Sequence, residues 1–183
     1  MSTQVKATLE DLYNVPEKAE LVNGEIVVLA ATGYLPGYAG GEIFASLREY
    51  AKVNKTGVAM PDNVGFAVHL PNRESFSPDA AFYIGRTAGM RFLEGAPAFA
   101  AEIRSENDYG AKAEREIAGK RADYFTAGTQ VVWDVDLLSE DVVRVYRASD
   151  PATPKIYRKG EHAEAEPAVK GWTMPVDDLF PRF

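Results

Sequence analysis

The chain has 183 residues, 46% of them hydrophobic, which predicts one well-packed domain over residues 1–183 rather than two. It contains no cysteine and only two histidines, far apart, so disulfides, thiolate zinc sites and cysteine nucleophiles are excluded and a histidine-based metal site is disfavoured. The net charge of −7 argues against a strong non-specific nucleic-acid binder, because such proteins are usually basic.

Hydrophobic periodicity and turn residues predict a mixed succession of helices and strands. In the first half of the chain we expect a short helix at 8–12, a β-hairpin at 20–29, a glycine-rich loop at 32–41, a helix at 42–54 and two short strands within 58–70. The middle of the chain is predicted to form a strand at 76–84, a loop or short helix at 86–95, a strand at 98–104 and a helix at 109–127. Strands follow at 130–136, 142–147 and 155–159, with a turn at 151–154 before the last, and the apolar end of a tail at 161–183 is expected to cover an edge of the sheet.

The polar stretch Met1 to Asp11 lacks the apolar core of a signal peptide, and no apolar run approaches the ~20 residues of a membrane span. We therefore expect a soluble cytoplasmic protein with no membrane partner. Oxygen ligands, which suit magnesium or calcium, are still available to such a chain.

Two predicted strands each hold one acid inside an otherwise apolar run. Asp79 follows Ser77-Pro78, and Glu102 follows Pro97-Ala98-Phe99-Ala100-Ala101. The near-continuous apolar character of the second run indicates a strand that is buried on both faces. Because burying an unpaired charge costs several kcal/mol, such acids are usually paired, metal-bound or catalytic.

A lysine lies where the following helix is expected to be apolar. Ala113, Ile117, Lys120, Tyr124 and Ala127 fall on one narrow face at ~100° per residue. Lys120 is in the middle of this stripe, so its side chain is predicted to point toward the sheet rather than toward solvent.

Two carboxylates on neighbouring strands, with a lysine nearby, have the chemistry of a metal-dependent hydrolase. The carboxylates repel each other unless a cation lies between them. A hard divalent ion prefers carboxylate oxygens, a backbone carbonyl and water, and the lysine can orient the attacking water. Structural roles stay open as well: Asp79 can cap a turn after Pro78, and Glu102 can form a buried ion pair with Arg104 or Lys120.

Asp79 and Glu102-Ile103-Arg104, 23 residues apart (102 − 79), resemble the Asp…(Asp/Glu)-x-Lys core of the PD-(D/E)XK nuclease superfamily. More closely, residues 9–180 resemble the Uma-two family of predicted restriction endonucleases. The pieces that carry this resemblance are Glu20-Leu21-Val22-Asn23-Gly24-Glu25, Ser77-Pro78-Asp79, Glu102-Ile103-Arg104-Ser105-Glu106-Asn107-Asp108, Lys120, Tyr124, Ala127-Gly128, Val132-Trp133, Asp136 and the ending Gly171-Trp172-Thr173-Met174-Pro175 to Leu179-Phe180.

The resemblance implies an α/β fold with a mixed sheet: a restriction-endonuclease-like αβββαβ core, with the N-terminal hairpin and extra C-terminal strands added. It implies that Asp79, Glu102 and the Ile103 carbonyl are metal ligands, and that Glu20 is an additional acid near the metal. Lys120 would replace the motif lysine, whose usual position holds Arg104. An arginine stays protonated and cannot act as a base, but it can contact phosphate. Lys112 and Tyr124 are further candidates for phosphate or supporting contacts.

These residues predict a Mg²⁺-dependent DNA endonuclease, with Mn²⁺ as a substitute ion, that hydrolyses phosphodiesters by metal-activated water. Because a double-strand cutter commonly needs two sites, we expect a homodimer. The first alternative is a catalytically silent domain of the same fold that binds nucleic acid or protein, in which basic residues of the helix form a patch. The second is a metal-dependent hydrolase of another phosphoester.

Overall fold

The computed structural model describes residues 6–86 and 89–182. The first five residues of the polar N-terminal stretch, two residues of the predicted 86–95 loop and the last residue of the predicted tail lie outside these ranges. The elements are α1 (Leu9–Tyr13), β1 (Ala19–Val22), β2 (Glu25–Val28), α2 (Tyr34–Asn54), β3 (Val58–Met60), β4 (Phe66–Leu70), β5 (Arg73–Phe76), β6 (Ala80–Tyr83), β7 (Leu93–Glu94), β8 (Phe99–Ile103), α3 (Ala111–Ala127), β9 (Val131–Val135), β10 (Val143–Arg147), β11 (Asp150–Tyr157), β12 (His162–Glu164), β13 (Thr173–Pro175) and a 3₁₀ helix (Val176–Leu179).

The strands form three sheets, and the largest carries the predicted core. Its order is β11-β10-β9-β8-β6-β3, with β8 and β9 parallel and joined through α3, and its other pairs antiparallel. A five-stranded sheet has the order β2-β1-β5-β4-β7, and β12 and β13 form a pair. Taken along the chain, α2, β3, β6, β8, α3 and β9 reproduce the expected αβββαβ order. The predicted mixed α/β fold is therefore confirmed.

Side chains of β8 alternate between two cores on opposite faces of the six-stranded sheet. Phe99, Ala101 and Ile103 pack in a cluster with α2 and the C-terminal tail. Ala100 belongs to a second cluster that includes Tyr124 of α3. Because successive strand residues point to opposite faces, Glu102 is directed toward the α3 side.

The C-terminal tail packs on the α2 face and is not confined to an edge of the sheet. Trp172 stacks on Trp133 with ring centroids 5.1 Å apart, and it also contacts the ring of Phe99 at 5.7 Å. Met174 and Leu179 belong to the same buried cluster. The polar-then-apolar pattern of the tail indicated its burial but not the surface it covers.

The prediction of a glycine-rich loop at 32–41 is wrong, because α2 begins at Tyr34. Pro36 is accommodated since it lies in the first turn, where no intrahelical N–H partner is lost. Gly40 lies where the helix approaches the sheet: a Cβ there would be 3.3 Å from Cδ1 of Ile103 and 3.4 Å from the carbonyl oxygen of Asp79. Close packing against the sheet accounts for Gly40, whereas Gly41 of the same segment has no atom within 4 Å of where a Cβ would lie.

Two further predictions need correction. The strand expected at 76–84 is broken by Ser77-Pro78-Asp79 into β5 and β6, which belong to different sheets. The turn expected at 151–154 is part of β11, and the chain turns instead at Ala148 and Ser149. Pro151 and Pro154 are tolerated because β11 is an edge strand and neither proline is among its residues paired with β10.

Other local predictions are confirmed. The hairpin β1–β2 turns through Asn23 and Gly24 with φ values of 54° and 76°, as a type I′ turn requires. Thr8 and Asp11 form the predicted capping box of α1. His69 is an exposed strand residue.

Within the described residues, no helix is both long enough and apolar enough to cross a membrane.

Candidate active site

Asp79 lies at the break between β5 and β6 and is bound to the end of β8. Its backbone N–H donates to the carbonyl of Ala101 at 3.1 Å, and its Oδ2 accepts the N–H of Ile103 at 2.8 Å. Its Oδ1 lies 3.3 Å from Nζ of Lys18. The side chain is 16% exposed, so one oxygen is fixed by the backbone while the other faces a cation.

Glu102 lies on β8 and faces α3. It accepts hydrogen bonds from the Tyr124 hydroxyl at 2.6 Å and from Nζ of Lys120 at 2.9 Å. Tyr124 is held in turn by stacking on Phe76, with ring centroids 3.9 Å apart. The Glu102 side chain is 27% exposed, more than any other acid that contacts Lys120.

Glu20 contacts Lys120 from the five-stranded sheet. It is on β1, and its Oε1 lies 2.9 Å from Nζ of Lys120 and accepts the backbone N–H of Ser77 at 2.9 Å. Its Oε2 accepts from the guanidinium of Arg73 at 2.6 Å, and Arg73 also donates to Asp123 at 2.9 Å. Only 5% of the Glu20 side chain is exposed, so its oxygens are already committed to protein donors.

Lys120 therefore bridges two acids from two sheets. The prediction that it points toward the sheet is confirmed by its contacts with Glu20 and Glu102. Burial alone would lower the pKa of Lys120, but the two carboxylates outweigh burial and raise the pKa above its ordinary value. The amine thus stays protonated at neutral pH and acts as a fixed positive charge.

The acids respond differently to burial because they have different neighbours. Burial raises the pKa of Glu102, and the nearby charges of Asp79 and Glu20 raise it further against the attraction of Lys120. Burial also raises the pKa of Asp79, which Lys18 only partly offsets. Burial acts on Glu20 too, but Lys120 and Arg73 together hold its pKa below the ordinary value.

Lys18 and Asp62 complete the cluster and were not predicted from the sequence. Nζ of Lys18 lies between Asp62 and Oδ1 of Asp79, and its side chain is only 15% exposed. A signal was present, because Lys18 is two residues before Glu20 and alternate residues of a strand share a face. Arg73, which holds Glu20, carries no comparable signal, since only the pairing of β1 with β5 brings it near.

The structure brings Asp79, Glu102, Lys120, Glu20 and Tyr124 together, and directs Arg104 and Lys112 elsewhere. Arg104 donates to both carboxylate oxygens of Asp134, at 2.7 and 2.8 Å, and pairs with Glu114. The exposed Lys112 lies 3.6 Å from Glu116 on the surface of α3. The structure records Ile103 as a backbone donor to Asp79, so the role of its carbonyl as a metal ligand stays a prediction.

Among residues 6–86 and 89–182, no group of three or more histidine, aspartate or glutamate side chains is arranged to hold a metal ion. The donor chemistry of the site nevertheless fits a hard divalent ion. Asp79 and Glu102 are both partly exposed and are close enough for one charge to raise the pKa of the other. Lys18 can leave Asp79 without losing its ion pair, because Asp62 also binds it. Asp79 therefore has one oxygen to offer a cation, and Glu102 can share its oxygens with a cation while it keeps its bonds to Lys120 and Tyr124.

The chain has a restriction-endonuclease-like core, with two acids and a lysine beside strand β8. The chain belongs to the Uma2 family, whose description is "Putative restriction endonuclease" and whose family model matches residues 7–177. The predicted family is therefore confirmed.

The fold is also that of a solved structure, described as a putative nuclease belonging to DUF820 from Anabaena variabilis. The two structures align with a TM-score of 0.73 at 19% identity, over 94% of this chain and 97% of the other. No curated protein matches the chain.

Proposed function

We propose that the protein is a Mg²⁺-dependent DNA endonuclease that hydrolyses phosphodiester bonds with an activated water. The observation that carries this proposal is the position of Nζ of Lys120, 2.9 Å from carboxylate oxygens of both Glu20 and Glu102. Acid, acid and lysine from separate elements meet at one place. The family, with its restriction-endonuclease description, supports the same activity.

Asp79, Glu102 and the Ile103 carbonyl would hold the ion, with Mn²⁺ as a substitute. A bound divalent ion lowers the pKa of water and stabilises negative charge on a phosphate oxygen. Lys120 stays protonated, so it orients the attacking water and attracts the negative charge that develops on the phosphate. Glu20 and Arg73 position Lys120, and the Tyr124 hydroxyl fixes the carboxylate of Glu102.

Cleavage of supercoiled plasmid DNA in Mg²⁺ tests the proposal without knowledge of a target sequence. Asp79→Asn and Glu102→Gln keep the side-chain volume but lose the ligand charge, and we expect each to lower the cleavage rate by at least about 100-fold. Asp79→Ala and Glu102→Ala should behave alike. Glu116→Gln, on the exposed surface of α3, is the control and should cleave like the wild type. Full activity in either site variant would refute the assignment.

A second candidate is a catalytically silent domain that binds nucleic acid or protein. It is favoured by Arg104, which occupies the position of the motif lysine and is engaged with Asp134. Calorimetric titration with Mg²⁺ and Mn²⁺ separates the candidates, because the silent domain has no need of either ion. Absence of heat with both ions, together with intact DNA in the plasmid assay, would favour the second candidate. If both strands are cut, two sites are needed, and a homodimer is the simplest way to provide them.

A further inference from the structure

The two acids of the candidate site each have their own ammonium group, and the chemistry described above uses only one of these. Nζ of Lys120 lies 2.9 Å from Glu102, and Nζ of Lys18 lies 3.3 Å from Oδ1 of Asp79. Among residues 6–86 and 89–182, no other lysine or arginine forms an ion pair with Asp79 or Glu102. Lys18 is therefore a charged group of the site that still lacks a role.

The two lysines reach the acids from different parts of the fold. Lys120 extends from α3, whereas Lys18 is in the segment that precedes β1. Asp79, which Lys18 contacts, lies against α2, because a Cβ on Gly40 would be 3.7 Å from its Cβ. Within the described part of the chain, no carboxylate lies within 4.0 Å of both ammonium groups. A separate positive charge thus lies beside each acid.

Lys18 has an anchor other than Asp79. Its ammonium also binds Asp62, whose carboxylate is itself fixed by the backbone N–H of Asn63 at 2.7 Å. Burial alone would lower the pKa of Lys18, but Asp79 and Asp62 outweigh burial and raise this pKa above its ordinary value. Lys18 is therefore a protonated cation that Asp62 keeps in place when Asp79 binds another group.

Hydrolysis of a phosphodiester needs charge stabilisation at two oxygens that lie roughly in line through phosphorus. Lys120 accounts for the first, the attacking water. The second is the leaving oxygen, which develops the charge of an alkoxide, and a preorganised cation in a shielded site stabilises such charge strongly. Lys18 is the remaining cation, and it lies beside the acid that Lys120 does not contact.

We propose that Lys18 is a second catalytic residue, whose ammonium contacts the leaving oxygen of the phosphodiester and stabilises its negative charge. This role rests on the proposed function. The oxygen of the attacking water bonds to phosphorus, and its proton passes to solvent water. The bond between phosphorus and the leaving oxygen breaks, and its electron pair stays on that oxygen beside Nζ of Lys18. The leaving oxygen then takes a proton from solvent water, so Lys18 keeps its own protons throughout.

A substrate whose leaving group needs no cation tests this role. Lys18→Met removes the charge, and we expect it to lower the cleavage rate of plasmid DNA in Mg²⁺ by about 100-fold, the scale for one lost group that stabilises transition-state charge. Bis(p-nitrophenyl) phosphate releases an anion that is already stable, so Lys18→Met should hydrolyse it within about 3-fold of the wild-type rate. Equal losses on the two substrates, wild-type cleavage of the plasmid, or no hydrolysis of the nitrophenyl diester by the wild type overturns the proposal.

Binding measurements separate this role from a structural one. Charge on the leaving oxygen develops only in the transition state, so Lys18→Met should bind a cleavage-resistant phosphorothioate duplex within about 2-fold of the wild-type affinity, measured by fluorescence anisotropy in Mg²⁺. Lys18→Arg keeps a positive charge and should cleave the plasmid at least about 10-fold faster than Lys18→Met. A loss of duplex affinity as large as the loss of rate, or equal rates for the two variants, overturns the proposal.

Two further variants complete the comparison. Lys52→Met, which removes an exposed lysine paired with Glu49 on α2, is the matched control and should equal the wild type in all of these assays. Lys120→Met removes the cation assigned to the attacking water, so it should lower hydrolysis of the plasmid and of the nitrophenyl diester alike. The same pattern in Lys18→Met and Lys120→Met overturns the division of roles.

The plasmid assay also distinguishes failure of this proposal from failure of the proposed function. Absence of cleavage by the wild type in Mg²⁺ overturns the proposed nuclease and the role of Lys18 with it. Cleavage by the wild type together with undiminished cleavage by Lys18→Met overturns the role of Lys18 alone.

Discussion

Lys18 lies between two acids, and this position gives it two alternative partners. Its ammonium contacts Asp62 and is 3.3 Å from the Asp79 oxygen that the backbone leaves free. A divalent ion at Asp79 would meet this positive charge. Lys18 is therefore placed to compete with an ion for the same carboxylate.

Lys18→Met should tighten the binding of Mn²⁺ by about 2- to 5-fold, because a partly exposed ion pair contributes up to about 1 kcal/mol and the like-charge repulsion is also removed. Calorimetric titration measures the change. Lys52→Met, which removes an exposed lysine paired with Glu49 on α2, is the control and should leave the affinity unchanged. Weaker binding in Lys18→Met would mean that Lys18 supports the ion rather than opposing it.

The raised pKa values of Asp79 and Glu102 make stability depend on pH in a definite direction. Burial is the main cause in both residues. As pH rises above the ordinary carboxyl values of 3.8 and 4.5, the unfolded chain loses these protons before the folded chain does. The free energy of unfolding contributed by these groups therefore falls with rising pH, up to their raised pKa values.

Asp79→Asn and Glu102→Gln should consequently raise the free energy of unfolding more at about pH 7 than at about pH 3, where the wild-type acids are protonated in both states. Neither substitution leaves a lysine unpaired, since Lys18 keeps Asp62 and Lys120 keeps Glu20. Urea unfolding at the two pH values measures the difference, with Glu116→Gln as the control. A larger gain at the acidic pH would contradict the direction of the pKa shifts.

At the scale of elements, helical periodicity was the most informative pattern in the sequence. It placed Lys120 on the sheet-facing side of α3, because residues at helical spacing share one face of the helix and the neighbours of Lys120 on that face are apolar. Composition was less reliable. Glycines between 32 and 41 predicted a loop, but Gly40 lets α2 approach β6 and β8 closely. Propensity for a loop is outweighed there by a packing contact between residues distant in the chain.

Arg104 directly follows β8 and bonds to β9 and α3 rather than to the acid cluster. Its guanidinium holds Asp134 with two hydrogen bonds and also bonds to Glu114 of α3. A planar fork of donors is needed for this arrangement, and a lysine cannot supply it. The motif position thus has a structural role in this chain, while Lys120 provides the positive charge.

Arg104→Lys restores the usual residue of the motif, but we expect no gain in cleavage and a loss of roughly 1–3 kcal/mol in the free energy of unfolding. Urea unfolding and the plasmid assay measure the two effects. Arg115→Lys, on the exposed side of α3, makes the same chemical change and should leave both unchanged. Faster cleavage in Arg104→Lys would show that position 104 reaches the reacting groups.

At the scale of the molecule, the candidate site joins two sheets. Glu20 comes from the five-stranded sheet, Glu102 from the six-stranded sheet, and Lys120 from the helix between β8 and β9. The family resemblance implied the αβββαβ order and the role of Glu20, whereas Asp79 and Glu102 were predicted from local patterns, because each interrupts an apolar run. The sequence did not predict the break that sends β5 and β6 into different sheets, nor Arg73 and Lys18, whose neighbours are set by long-range pairing.

The net charge of −7 predicts that DNA binding depends on a divalent ion. At constant ionic strength, Mg²⁺ should raise the affinity of the wild type for a cleavage-resistant phosphorothioate duplex, because the ion offsets repulsion between the acid cluster and phosphate. Mg²⁺ should change the affinity of Glu102→Gln for the same duplex only slightly. Fluorescence anisotropy measures both affinities. Tight binding in a chelator, unchanged by Mg²⁺, would instead support the silent binding domain.

The residues of the site are spread over a hundred positions of the chain, and this spread has a consequence during biosynthesis. The ribosome synthesises the N-terminal part of the chain, with Glu20, well before it synthesises α3 with Lys120. A polypeptide interrupted anywhere between Glu20 and Lys120 lacks part of the constellation. Under the proposed function, a chain must therefore be translated through α3 before it holds every group of the candidate site.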